Sequence, residues 1–151
     1  MTRRSFRALF ADRRAGHAVE FGLIALPLMM LALGTIEFGR LIWTREALQM
    51  TATQGARCMG VLATSCSDAA STPPTNTISY IESVASGWGI TLTSSNLTLT
   101  ANATTGACSG LSQTVSQVSI SYTFTTAVPG LLTMLSGGEA LTAQACFPNQ
   151  S

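Results

Sequence analysis

The chain has 151 residues, of which 46% are apolar and only 10% are charged, whereas a typical soluble domain has about 25% charged residues. Eight basic and seven acidic residues leave a net charge of +1, so there is no overall basic field that could hold nucleic acid. A single histidine, no lysine and no motif of a hydrolase or zinc site argue against an enzyme. We therefore expect no cofactor, no metal and no small-molecule substrate.

The first 15 residues form a basic leader, in which five arginines stand against one aspartate. By the positive-inside rule, such a leader stays in the cytoplasm when an apolar segment follows it. After Arg57 the chain has no basic side chain, and its body is rich in serine, threonine and alanine. This distribution predicts a cytoplasmic N-terminus and a C-terminal part outside the membrane.

A long helix with an apolar first half follows the leader. Residues 21–36 contain no charge, and residues 16–36 give about 32 Å of helix, enough to cross a hydrocarbon core of about 30 Å. Glu20 then lies just inside the membrane edge. Because helical sequence continues without a further proline, we predict one helix over 16–60 with its transmembrane part at 16–36. A plain membrane anchor, or a secretion signal cleaved after Gly34, would explain the same apolar segment.

Several motifs occur along this helix. AVEF opens the apolar segment, a proline lies within it, GTIEFGR closes it, and WTREALQ and ARC follow. Together these motifs, which span residues 18–58, resemble the TadE-like family of minor pilins or pseudopilins of tight-adherence (Flp/Tad) type IV pilus systems. The resemblance implies a single-pass protein of the bacterial inner membrane with a pilin-like fold. Its implied partners are other pilin subunits of a Tad/Flp pilus, pilus platform proteins and the prepilin peptidase.

The resemblance also implies cleavage by the prepilin peptidase at Ala15 and Gly16. In the usual pilin pattern glutamate is the fifth residue of the mature chain, which makes Gly16 the new N-terminus and Glu20 the fifth residue. Most prepilins have glycine before the cut, and a cut after Gly16 would leave Glu20 fourth, so both bonds remain open. Glu20 and Phe21 are the expected assembly residues, because a carboxylate one helical turn from a new α-amino group can pair with that amine on the same or a neighbouring subunit.

We predict an extracytoplasmic domain over residues 61–151. Two prolines and many serines and threonines predict a loop over 64–77. Thr77 is positioned to cap a short helix over 78–88, in which Gly87 acts as a stop.

Beyond this short helix the apolar period changes to two, which predicts β-strands. Strands with one apolar face need a cover, and the second half of the long helix supplies it, including Trp43 and Leu48. The resulting fold class is α+β, a long N-terminal helix packed on a small antiparallel sheet. A further apolar run predicts either a short core helix or an exposed apolar patch. Its residues are Leu131, Leu132, Met134 and Leu135. The predicted strands lie near 97–101, 118–124 and 141–145.

Four cysteines lie outside the membrane by this topology, where an even number predicts two disulfides. Of the three possible pairings we favour Cys58–Cys66 and Cys108–Cys146, the first at the end of the long helix and the second between the sheet and its last strand. The favoured function is a cleaved minor pilin or pseudopilin that supports assembly of a Tad-type surface pilus. The alternative is a membrane-anchored or secreted periplasmic binding domain that never enters a filament.

Overall fold

The computed structural model describes residues 13–103, 108, 113–125 and 140–150. Its first element is helix α1, Arg13–Gly60, which has 48 residues and continues through Pro27. A proline lacks its own N–H donor, a loss that apolar membrane helices tolerate. The helix begins three residues before the predicted 16–60 helix and ends at the predicted residue.

The chain divides within α1 into two compact units, Met1–Gly39 and Arg40–Ser151. In the first unit, the described side chains of α1 are almost all exposed. In the second unit, residues 40–60 of α1 fold together with the described residues that follow the helix. We call this second unit the outer unit.

The part of α1 in the outer unit buries one face, made mainly of small residues. Leu48 is completely buried there, as predicted, but the predicted core position of Trp43 is wrong, because 60% of its surface is exposed. At 3.6 residues per turn, five residues rotate the helix by roughly 140°, which turns Trp43 away from the face that Leu48 occupies. The buried residues of this part are Ala47, Leu48, Thr51, Ala52, Gly55, Ala56, Cys58, Met59 and Gly60.

Helix α2, Thr75–Gly87, stops at the predicted glycine but begins three residues before the predicted 78–88 helix. The predicted capping role of Thr77 is wrong, because Thr77 lies inside the helix and is buried. The side chain of Asp68, from the preceding loop, caps the helix instead. Its carboxylate accepts the N–H of Asn76 at 2.6 Å, and the N–H and hydroxyl of Thr77 at 3.0 and 2.7 Å.

Burial tends to raise the pKa of the Asp68 carboxyl, because it disfavours the charged form. Hydrogen bonds from the Thr77 hydroxyl and from the N–H groups of Asn76 and Thr77 together outweigh this effect, and the pKa of Asp68 lies below its ordinary value. Asp68 is therefore held in its charged form at the positive end of α2.

Three strands follow: β1, Leu97–Ala103; β2, Val115–Thr123; and β3, Ala140–Pro148. They form an antiparallel sheet in the order β1-β2-β3, in which Val118 pairs with Leu99 on one side and with Ala145 on the other. The predicted α+β class with a small antiparallel sheet is confirmed. The segment with Leu131, Leu132, Met134 and Leu135 lies outside the described residues.

One face of the sheet forms the core with the two helices. Val118, Ile120 and Ala143 belong to the same buried cluster as Leu48 of α1 and Ile81 of α2. Glycine leaves room where α1 passes close to these neighbours, because a Cβ at Gly55 would lie 3.0 Å from the side chain of Ile81 and 3.4 Å from that of Val118. The small residues of α1 therefore allow the helix to approach its neighbours closely.

Two disulfides cross-link the outer unit. The bonds join Cys58 to Cys66, with Cα atoms 5.8 Å apart, and Cys108 to Cys146, with Cα atoms 6.0 Å apart. These are the two pairs that the sequence favours, and no cysteine is free. Covalent links at both the helix end and the last strand reduce the freedom of the unfolded outer unit.

The residues after β3 bind back to α1 and β2. The N–H of Gln150 donates to the carbonyl oxygen of Gly60 at 2.9 Å. The buried hydroxyl of Ser116 donates to the side-chain oxygen of Asn149 at 2.7 Å, and the amide nitrogen of Asn149 donates to Asn102 at 2.7 Å. The last described residues thus close the outer unit at the end of α1.

Candidate assembly segment of the N-terminal helix

The first unit carries a sleeve of large apolar side chains around α1. Between residues 19 and 36 these side chains are 54–74% exposed, and they surround the helix on all sides. They are Val19, Phe21, Leu23, Ile24, Leu26, Leu28, Met29, Met30, Leu31, Leu33 and Ile36.

This exposed surface is too large to remain in water. Burying one fully exposed side chain of this kind is worth about 1.5–3 kcal/mol, and the eleven side chains are about two-thirds exposed, so covering the sleeve is worth roughly 10–20 kcal/mol. A whole domain is stable by only about 5–15 kcal/mol. A surface of this kind is stabilised when lipid or other apolar helices cover it.

The helix meets the requirements of a membrane span by length and composition. The segment from Val19 onward includes an 18-residue window with a mean hydropathy of 2.0, none of which is buried. The chain is consistent with a single-pass membrane protein.

Glu20 and Phe21, the predicted assembly residues, lie at the start of the sleeve. Phe21 belongs to the sleeve, and the side chain of Glu20 is 76% exposed. One carboxylate oxygen of Glu20 lies 3.6 Å from Nδ1 of His17, which forms an ion pair when the imidazole is protonated. The exposed carboxylate can still accept a second partner, since each carboxylate has several acceptor sites.

The predicted processing residues, Ala15 and Gly16, fall in the first turn of α1, which begins at Arg13. Residues 1–12 of the predicted leader lie outside the described residues. A residue at position 16 and Glu20 are four apart on the same helix, so they occupy neighbouring positions one turn apart on its surface. An α-amino group at position 16 would thus lie beside the carboxylate on the helix surface.

The outer unit contains aromatic contacts that the sequence did not indicate. The rings of Trp43 and Trp88 pack edge to face, with centroids 5.8 Å apart. The guanidinium of Arg40 lies over the ring of Phe124, 5.6 Å from its centroid. Trp43 and Trp88 are 45 positions apart in the chain, and no local pattern could have paired them. Among the residues that the structure describes, no group of histidine, cysteine and acidic side chains could hold a metal ion.

A comparison with protein-family models finds a match within helix α1. Residues 17–57 match the model of a family described as TadE-like protein, which confirms the resemblance of this segment. The match and the exposed apolar helix fit a protein associated with a Tad pilus. No curated protein and no solved structure matches the chain.

Proposed function

We propose that this chain, with its TadE-like segment at 17–57, is a minor pilin or pseudopilin that supports assembly of a Tad-type surface pilus. The prepilin peptidase removes the basic leader at Ala15 or Gly16, and α1 then anchors the subunit in the inner membrane. The observation that carries the proposal is the exposed apolar sleeve with a single carboxylate, Glu20, at its start.

The sleeve supports a role in assembly as well as anchoring. Because apolar residues surround α1 in the first unit, the helix has no single face reserved for its own chain. Lipid covers the apolar side chains of such a helix before assembly, and neighbouring apolar helices can cover them equally well afterwards. Subunits can therefore leave the membrane for a helical bundle without exposing the sleeve to water.

Glu20 fixes the position at which a subunit docks when its helix moves from lipid into the helical bundle. A carboxylate in an apolar environment is costly unless it is paired, and breaking a buried pair costs about 3–5 kcal/mol. Cleavage creates an α-amino group one turn before Glu20, which supplies a partner on the same or a neighbouring subunit. A subunit docked with its carboxylate away from any amine would lose that energy, so the charge pair selects the docked position.

The first experiment determines the mature N-terminus of the membrane-bound protein by sequencing. The proposal expects Gly16 or His17 at that terminus, and expects bulky charged residues at both Ala15 and Gly16 to leave only the full-length chain. An uncut wild-type chain would support the membrane anchor, and a terminus at Thr35 would support the secreted domain. Either result would refute the pilin proposal.

The second experiment compares Glu20→Gln with Glu20→Asp at matched protein levels in the membrane. Glutamine keeps the shape but removes the charge, so surface pili should be lost, whereas aspartate should retain them at least in part. Insertion of Glu20→Gln should be no worse than wild type, because no charge has to enter the membrane edge. Normal piliation of Glu20→Gln would show that the carboxylate does not act in assembly.

A further inference from the structure

The two tryptophans of the chain form an exposed apolar surface on the outer unit. Trp43 lies on α1, and Trp88 directly follows the last residue of α2. Their rings pack edge to face with centroids 5.8 Å apart, yet the two residues remain 60% and 39% exposed. Met50 is 54% exposed and borders the same hollow, whose walls are almost entirely apolar. We call the surface made of Trp43, Met50 and Trp88 the aromatic corner.

The aromatic corner lies outside the core of the outer unit. Neither tryptophan nor Met50 belongs to the buried cluster that joins α1, α2 and the sheet. A group of large apolar side chains that is exposed and takes no part in the core is typical of a surface that binds a protein partner or a membrane. The position of the corner along α1 distinguishes between these two.

Trp43 lies just beyond the apolar sleeve on the same continuous helix. It follows Ile36, the last residue of the sleeve, by seven positions, which is about 10 Å along the helix axis. The headgroup layer extends roughly 5–8 Å beyond each side of the hydrocarbon core. Because helical side chains lean back toward the N-terminus of their helix, the indole of Trp43 extends from its Cα toward that layer. A sleeve that spans the hydrocarbon core therefore brings this ring to the headgroups.

Helix α2 brings Trp88 to the same level. Near its start, Tyr80 shares a groove with Arg57 of α1, whereas Trp88, just past its end, packs against Trp43. Arg57 lies 14 positions beyond Trp43, which is about 21 Å along α1. Helix α2 thus runs back along α1 from Arg57 toward Trp43, and Trp88 lies at the end of the outer unit where α1 enters it.

The chemistry of the aromatic corner suits lipid headgroups. An indole has an apolar ring and one N–H donor, and tryptophan is enriched at membrane–water interfaces, where the ring is covered and the N–H still finds an acceptor. A neighbouring apolar helix would cover the rings but offer the N–H groups no acceptor. The chain has no charged residue between Glu82 and Glu139, so Trp88 and its neighbours in sequence approach lipid without removing a charge from water. Glu46, at the edge of the hollow, is exposed and stays among hydrated headgroups.

We propose that the aromatic corner docks on the headgroups of the outer leaflet and holds the outer unit against the membrane before assembly. The proposal rests on the anchoring of α1 in the membrane, which is part of the proposed function. The new element is Trp88, which belongs to the outer unit and lies far from the membrane span in the sequence. Its contact with lipid fixes which side of the outer unit faces the membrane.

Tryptophan fluorescence of the full-length protein in phosphatidylcholine vesicles tests this proposal, because the chain has only these two tryptophans. Trp43→Phe leaves Trp88 as the only tryptophan and keeps an aromatic ring in the corner. Nitroxide quenchers are attached to the lipid headgroup, near the top of the acyl chain or near its end. The emission of Trp88 should be quenched most by the headgroup label and least by the label near the chain end.

Two matched controls carry both Trp43→Phe and Trp88→Phe. The first adds Leu28→Trp in the middle of the sleeve and should be quenched most by the label near the chain end. The second adds Tyr80→Trp on α2, roughly 20 Å farther along α1 than the corner, and should escape all three labels. A thiol titration of each denatured, unreduced variant checks that both disulfides have formed in the outer unit.

Three results would overturn the proposal. Quenching in the Leu28→Trp control without quenching of Trp88 would leave the membrane span intact and show that the aromatic corner stays in water. Equal quenching of Trp88 and of the Tyr80→Trp control would show that the outer unit has no preferred side toward the membrane. Absence of quenching in the Leu28→Trp control would refute the membrane span itself, and with it both this proposal and the proposed function.

Discussion

Replacement of Gly60 by alanine tests the contact between the end of α1 and the last strand. A Cβ at this position would lie 2.5 Å from Cδ1 of Phe147 and 2.9 Å from the carbonyl oxygen of Pro148. The phenyl ring can rotate, but the carbonyl belongs to backbone that is held on both sides. Pro148 pairs with Val115 in the sheet, and the N–H of Gln150 donates to the carbonyl of Gly60 itself. The added methyl group must therefore displace either the end of the helix or the end of the strand.

The size of the effect follows from two opposing contributions. Forcing a methylene-sized group into packed surroundings costs about 1–3 kcal/mol. Replacing glycine by alanine in a helix returns up to about 1 kcal/mol. Gly87 provides the matched control, since it is the last residue of α2 and a Cβ there would have no neighbour within 4 Å. Gly60→Ala should therefore be less stable than Gly87→Ala by about 1–3 kcal/mol.

Urea unfolding of the full-length protein in an uncharged detergent measures this difference. The near-ultraviolet circular dichroism reports on the outer unit, because both tryptophans lie in it. The midpoint for Gly60→Ala should fall below those of Gly87→Ala and wild type, with an unchanged slope. Equal midpoints for the two variants would mean that the end of α1 has room for a side chain and that the described packing against Phe147 and Pro148 is wrong.

Three other outcomes are expected. Leu48→Ala should destabilise the outer unit by about 2–5 kcal/mol, because Leu48 is completely buried. Leu31→Ala in the sleeve should leave the urea midpoint unchanged. Equal shifts of the midpoint in the two variants would contradict the assignment of Leu48 to the core. Because the pKa of Asp68 is lowered in the folded protein, the carboxylate stabilises the fold fully at a pH above its unfolded pKa of about 3.9. This stabilisation is lost as the pH falls through the folded pKa. The wild type should therefore lose stability more steeply than Asp68→Asn in acid titrations below about pH 4. Parallel pH profiles would exclude this role of the carboxylate. Thiol titration of the denatured, unreduced protein should find no free thiol, and one or more per chain would contradict the two disulfides.

Local sequence determined the elements that depend on neighbouring residues. The uncharged run 21–36 predicts an apolar helix, because backbone groups in an apolar environment must bond within their own segment. Alternating apolar and polar side chains predict the three strands, since successive side chains in a strand point to opposite faces. The TadE-like motifs lie in the same helix, so the resemblance was recognisable from residues 18–58 without residues 61–151.

Only the tertiary structure decided how these elements meet. Trp43 and Leu48 are both large and apolar, and the pattern of α1 could not tell that the face with small residues would be buried while Trp43 paired with Trp88. Likewise, Asp68 replaced Thr77 as the cap of α2 because the intervening turn returns its carboxylate to the free N–H groups. Such choices depend on contacts between residues far apart in the chain and on the space available between helices, and neither is encoded in the period of any one segment.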